Sequence, residues 1–166
     1  MILPKLVFTD IDGVWTDGGM YYTAQGDAMK RFSVSDGWGV SFLRRNGIET
    51  AIITGENTPI VTERAKKLKI EMCHIGISDK KRKAEEICGK LGISLSETAF
   101  IGDDINDLPL LRAVGFSGSP CNAPCYVKSR VHYVTTAPGG YGAFRDFAEK
   151  ILSAHGLLEK TIESYL

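Results

Sequence analysis

Short apolar runs alternate with amphipathic stretches along the chain. Leu6-Val7-Phe8, Ala51-Ile52-Ile53, Met72-Cys73-His74-Ile75 and Thr98-Ala99-Phe100-Ile101 lack polar alternation and are bounded by turn residues, the pattern of parallel strands covered on both faces. Between them the spacing predicts helices over 37–46, over 59–68 with Thr58 as cap and Pro59 in the first turn, and over 79–91. Alternating strands and helices of this kind predict an α/β fold, a doubly wound parallel sheet whose ligands bind beyond the carboxyl ends of the strands. The rhythm breaks between Asp17 and Ser35. There Met20-Tyr21-Tyr22, a turn at Gln25-Gly26-Asp27 and the run from Met29 to Val34 predict a β-hairpin inserted after the first strand.

A chain of 166 residues has the length of one domain and can build a core without metal or disulfide staples. Its 20 basic and 20 acidic side chains cancel, so no basic excess points to a nucleic-acid or membrane-surface partner. No apolar run reaches the length of a membrane span. The four cysteines form no C-x-x-C pair and no signal peptide precedes them; reduced thiols in a cytoplasmic enzyme are the expectation. Cys121, Cys125 and His132 lack a fourth ligand and are read as ordinary side chains.

The polar residues after each strand converge on one rim. The first strand ends in Asp10-Ile11-Asp12-Gly13, the second in Thr54-Gly55, the third leads to Asp79-Lys80, and the fourth opens into Gly102-Asp103-Asp104-Ile105-Asn106-Asp107. Carboxylates gathered this closely repel unless a cation sits between them, and hard oxygen donors suit Mg²⁺ together with a substrate phosphate. One aspartate can attack phosphorus while a second, two residues away, moves protons. Gly13 lets the backbone turn sharply around the phosphate.

These motifs, in this order and each at a strand end, resemble those of the haloacid dehalogenase (HAD) superfamily of phosphotransferases. The resemblance implies that Asp10 is the nucleophile, and that Asp12 is the general acid/base whose backbone carbonyl also ligates Mg²⁺. It further implies that Thr54 hydrogen-bonds the phosphoryl group, that Lys80 stabilises it and orients Asp10, and that Asp103 completes the metal site. Asp104 is placed as an alternate ligand or substrate contact, and Asp107 as support for the loop. The words DIDGVWTDGGMYY, GDDINDLPLL and GGYGAFR carry the resemblance over nearly the whole chain to the phosphatases of 2-keto-3-deoxy sugar acid phosphates, typified by KDO 8-phosphate phosphatase. That branch implies one domain over 1–166 without a separate cap, and a homotetramer whose neighbouring subunits cover each site. Arg145, after the glycine pair, is expected to partner an anionic substrate or a carboxylate across the interface. The apolar hairpin residues fit such an interface.

One position departs from the commoner pattern of the branch. Where Arg usually follows Thr-Gly, this chain has Glu56 after Gly55, with Arg64 and Lys67 on the next helix. Glu56 resembles the sub-branch acting on nine-carbon acids, and the expected substrate-binding set is Gly55, Glu56, Arg64, Lys67 and Asp104. The resemblance thus implies a Mg²⁺-dependent phosphatase preferring KDN 9-phosphate or a related 9-phosphate, with KDO 8-phosphate as the alternative. A phospho-signalling receiver domain uses the same residue types, but it carries an adjacent acidic pair after its first strand and its phosphorylated Asp after its third.

Overall fold

The computed structural model describes residues 2–166. The elements follow in the order β1 (Leu6–Thr9), β2 (Tyr21–Thr23), β3 (Gly26–Met29), α1 (Val34–Arg45), β4 (Glu49–Ile53), α2 (Pro59–Lys67), β5 (Met72–His74), α3 (Lys80–Leu91) and β6 (Thr98–Ile101). The chain continues through α4 (Leu108–Leu111), β7 (Phe116–Ser119), α5 (Cys125–Lys128), β8 (Tyr133–Val134), α6 (Ala143–Ala154) and α7 (Leu158–Glu163). Six strands form one sheet in the order β5-β4-β1-β6-β7-β8, and every pairing in it is parallel. From β1 the chain first builds outward through β4 and β5, then returns to lay β6 on the other side. The reversal leaves a crevice beyond the carboxyl ends of β1 and β6, the place where open α/β sheets bind ligands.

Period-two alternation divides the core between the two faces of the sheet. Val7 and Ile52 point to the side that packs with Leu43, Val61, Phe144 and Phe147, while Leu6, Phe8, Ala51 and Ile53 point to the side of Ile87, Leu110 and Leu111. Helix α6 buries a stripe of Phe144, Phe147, Ala148, Ile151 and Leu152, spaced by threes and fours as one helical face requires. No helix among the described residues is long and apolar enough to cross a membrane.

Several boundaries differ from the sequence reading for local reasons. Helix α1 starts three residues early because the Ser33 side chain accepts a hydrogen bond from the Ser35 amide, an N-terminal cap. Asp79 lies outside α3 and caps it by accepting from the Arg82 amide, so Lys80 occupies the first helical position. Strand β5 is an edge strand and only half-buried, not covered on both faces. Strands β7 and β8 escaped the reading; β7 carries Ser117, Gly118 and Ser119 in four residues, too little apolar character to signal a strand. The insertion between β1 and α1 contains the β2–β3 hairpin and no other strand or helix.

Asp36, in the first turn of α1, is completely buried. Its Oδ1 accepts a hydrogen bond from the Arg145 amide at 3.1 Å, whereas Oδ2 has no partner. Burial pushes this carboxyl up to about 6, against the opposing pull of the Arg145 and Phe144 amides and of the Arg64 and Arg145 charges. A carboxyl raised in the folded state stabilises below its unfolded pKa and loses that contribution as pH rises through the folded value. Asp36→Asn should therefore gain on wild type as pH rises from 4 to 7, by up to about 3 kcal/mol, as read from urea midpoints across that range. A difference independent of pH would show that Asp36 does not titrate with folding.

Candidate active site

The ends of β1, β4 and β6 and the start of α3 meet around one open cleft of about 350 Å³, lined by Asp10, Asp12, Gly13, Gly18, Thr54, Gly55, Glu56, Asp103, Asp104 and Asn106. Asp10 stays in register with the sheet, its amide donating to the Ile101 carbonyl at 3.0 Å. Beyond it the chain wraps into a tight turn in which the amides of Val14, Trp15 and Thr16 all point at the Ile11 carbonyl. Gly13 has φ of +81°, and a Cβ there would collide with the Asp103 carboxylate; backbone conformation and space both demand glycine. Behind the turn, Trp15 is fully buried. Its indole N–H donates to Thr9 Oγ1 at 2.8 Å, and its ring lies 4.8 Å from that of Phe144.

Lys80 is the buried cation behind Asp10. Its Nζ lies 2.9 Å from Asp10 Oδ1 and 2.6 Å from Asp107 Oδ1, with its side chain 1% exposed. Burial pulls the ammonium down, but Asp10 and Asp107 outweigh it and raise its pKa above the ordinary value. Asp107 uses its other oxygen to accept from the amides of Asp103 at 2.8 Å and Asp104 at 3.3 Å. One buried carboxylate thus ties the lysine to the fourth motif loop.

Carboxyl oxygens of Asp10, Asp103 and Asp107 come within 4.8 Å of one another. Burial and the Asp107 charge push Asp10 upward in spite of Lys80. Burial, then Asp10 and Asp107, push Asp103 up to about 8. Lys80 is one positive charge facing several acids, and further positive charge between Asp10 and Asp103 would reverse both shifts. Asp107 already holds Lys80 and two amides, which leaves Asp10 and Asp103 as hard oxygen donors free for a small divalent cation. The donor set fits Mg²⁺.

Of the residues expected from sequence, Asp10, Asp12, Thr54, Gly55, Glu56, Asp103 and Asp104 line the cleft, and Lys80 stands behind Asp10. Asp104 also caps the turn that follows it and receives the Tyr126 hydroxyl at 2.7 Å. Arg64 and Lys67 are not brought there. They line a separate groove with Val34 and Trp38, and the Arg64 guanidinium donates to the Ser33 carbonyl at 2.9 Å. Arg145 pairs with Glu149 at 2.7 Å, also away from the cleft. The glycine-rich segment before it packs on its own chain: a Cβ at Gly139 would collide with the Gly13 carbonyl, and the Gly140 amide donates to the Val14 carbonyl at 3.0 Å.

Two residues have larger parts than the sequence reading gave them. Asp107 is the main anchor of Lys80, and its position four residues after Asp103 is the one signal that marks it. Lys30, on the segment after β3, reaches Asp12 Oδ1 at 2.6 Å with its side chain 2% exposed. No spacing in a hairpin sequence announces where its lysine ends.

Comparison with known proteins shows the family. Residues 39–115 match the family model described as haloacid dehalogenase-like hydrolase. The chain is 40% identical, over 92% of its length and 84% of the relative's, to the 3-deoxy-D-manno-octulosonate 8-phosphate phosphatase KdsC of Haemophilus influenzae. The chain belongs to the haloacid dehalogenase-like hydrolases. A second HAD relative, KdsC of Escherichia coli K12, is 35% identical over 94% of this chain and 83% of its own. The 3-deoxy-D-manno-octulosonate 8-phosphate phosphatase of Moraxella catarrhalis, solved with magnesium ion, phosphate ion and KDO, superposes with a TM-score of 0.94 at 39% identity, covering 98% of this chain and 94% of its own. The cobalt-bound Haemophilus influenzae enzyme gives 0.90 at 39%, covering 94% and 91%.

In this HAD-like hydrolase the Lys80–Asp107 pair bears directly on Asp10. Asp107→Asn should lower stability by roughly 3 kcal/mol, the scale for breaking a buried ion pair, and hydrolytic rate by about a hundredfold or more as Lys80 loses its anchor. Urea unfolding and phosphate release check the two effects; a variant with both values near wild type would show that Asp10 alone positions the lysine.

Proposed function

We propose that the chain is a Mg²⁺-dependent phosphomonoesterase acting on a 2-keto-3-deoxy sugar acid phosphate through an aspartyl-phosphate intermediate. The observation that carries this reading is the meeting of Asp10, Asp12, Thr54, Lys80 and Asp103 around one cleft. Asp10 and Asp103, with the Asp12 backbone carbonyl, would hold Mg²⁺. When bound, that ion would neutralise the phosphoryl group and keep both carboxylates ionised.

The chain's own residues then divide the work. Lys80 engages Asp10 Oδ1, so Oδ2 is the oxygen that attacks phosphorus. The Thr54 hydroxyl donates to a phosphoryl oxygen as negative charge gathers there. Asp12 gives a proton to the departing sugar oxygen as its bond to phosphorus breaks. It takes a proton back from the water that attacks the phosphoaspartate, releasing phosphate and restoring Asp10. A receiver domain would stop at the phosphoaspartate; the presence of Asp12 on the cleft supports completion of the cycle.

For the acid itself we infer a nine-carbon 9-phosphate such as KDN 9-phosphate, because the cleft presents Glu56 where the commoner pattern has a cation. A carboxylate accepts hydrogen bonds from sugar hydroxyls and repels a substrate carboxylate. KDO 8-phosphate, the substrate in the relatives' names, is the second reading. Among the described residues no Lys or Arg lines the cleft, and Lys80 and Lys30 behind it are both committed to carboxylates; Met20, Tyr21, Tyr22 and Met29 on the hairpin are exposed. Both features support a homotetramer in which neighbouring copies close each site and meet the substrate carboxylate, with Arg64 and Lys67 as donors. Each copy acts as one domain over 1–166, and its four free thiols fit a cytoplasmic setting.

Asp10→Asn should lower turnover by several powers of ten, on the scale of losing a nucleophile, with urea stability retained. Chelator should silence the wild type and Mg²⁺ restore it. Rapid hydrolysis by the variant, or by wild type in excess EDTA, would refute the mechanism.

The ratio of kcat/KM for KDN 9-phosphate and KDO 8-phosphate tests the acid. It should favour the nine-carbon ester in wild type and move toward KDO 8-phosphate in Glu56→Arg. A wild type preferring KDO 8-phosphate would leave the chemistry standing and overturn the nine-carbon assignment.

A further inference from the structure

The two oxygens of Asp12 stand in different environments. Oδ1 receives the Lys30 ammonium at 2.6 Å and the Thr16 hydroxyl at 3.3 Å. Oδ2 is buried without any hydrogen-bond partner, although Asp12 lines the cleft. Lys30 has no other acidic partner among the described residues. It stands just beyond β3, so its ammonium is carried into the site by the hairpin, 18 positions along the chain from the residue it holds. A buried ammonium committed to a single carboxylate is costly unless the pair is well formed, and this one is short and charge-assisted.

We propose that Lys30 is a positioning residue for proton transfer: by holding Asp12 Oδ1 it fixes the plane and orientation of the carboxyl group that exchanges the proton. This rests on the phosphatase reading above and goes beyond it by assigning the hairpin a part in the chemistry. In the first half-reaction the proton of the Asp12 carboxyl passes to the ester oxygen as the P–O bond breaks and the phosphoryl group joins Asp10. In the second, water attacks phosphorus, its proton passes to the Asp12 carboxylate, the Asp10–phosphorus bond breaks and phosphate leaves. Without Lys30 the carboxyl can rotate about its Cβ–Cγ bond, and both transfers lose their fixed geometry.

The leaving group makes the inference testable, because a sugar alkoxide needs the proton and an activated phenolate does not. Lys30→Met is compared with wild type on p-nitrophenyl phosphate and on whichever sugar acid phosphate, KDN 9-phosphate or KDO 8-phosphate, wild type turns over faster. For the sugar ester, kcat should fall by about a hundredfold, the scale of general acid–base catalysis, with KM changed by less than about threefold. For the aryl ester, the first half-reaction should survive and the second slow, giving a burst of about one p-nitrophenolate per site followed by a slow steady rate. Lys30→Ala, which leaves room for a small amine, should recover part of the sugar-ester rate in methylammonium chloride, and it serves in place of the Met variant if that one does not fold. Equal losses on both esters with no burst and no amine rescue would overturn the inference and leave Lys30 as a clamp on the hairpin, with the phosphatase reading intact. A wild type inert toward every ester would overturn both.

Discussion

The Lys80 ammonium, enclosed between Asp10 and Asp107, fixes how three separate stretches of chain can meet. Asp10 comes from the end of β1, Lys80 from the first turn of α3, and Asp107 from the loop after β6. None of these groups is stable alone in a buried place, since an isolated charge there costs several kcal/mol. The pairing is therefore a condition for the strand ends to close over one another. It also leaves an excess of negative charge on the open side, where Asp103 stands, and that excess is what a metal and a phosphate group together can use. The same cluster that holds the fold thus defines the kind of ligand the cleft accepts.

Much of this was legible in the sequence because each motif follows a short apolar run that forms a strand of the parallel sheet. Asp10, Thr54, Lys80 and Asp103 needed no knowledge of long-range packing; the carboxyl end of each strand delivers them to the same edge. Other placements depend on distances the chain does not spell out. Asp107 reads as loop support until its contact with Lys80 is known, and Lys30 reads as one more lysine on a hairpin. Arg64 and Lys67, expected beside the substrate, lie away from the cleft of their own chain. In the folded chain the start of α1 intervenes, and the Ser33 carbonyl takes the Arg64 guanidinium. Strand β7 was missed for a different reason: small residues let Phe147 lie over Gly118, so the helix, not the strand, supplies the apolar bulk there.

The hairpin is the least regular part of the molecule and touches the chemistry most directly outside the strand ends. Through Lys30 it reaches Asp12. Through Arg31 it reaches the Gly140 carbonyl at 3.2 Å, and the same guanidinium lies 4.3 Å from the centre of the Tyr141 ring. Its apolar face is exposed while Lys30 turns inward, and Arg31 lies along the surface between the hairpin and the glycine-rich segment.

The backbone contact between the glycine pair near residue 139 and the Asp-x-Asp-Gly turn gives the protein a particular order of assembly. The turn is local in sequence, but the segment that buttresses it is joined to the hairpin across 109 positions. Contacts of such high separation form late, after the cost of closing the intervening loop has been met. A chain without the segment around residue 139 still carries Asp10, Asp12, Thr54, Lys80 and Asp103, yet lacks the wall against which the Asp-x-Asp-Gly turn is set. The acidic residues of the cleft therefore depend for their rigidity on a stretch of sequence that contributes no side chain to it.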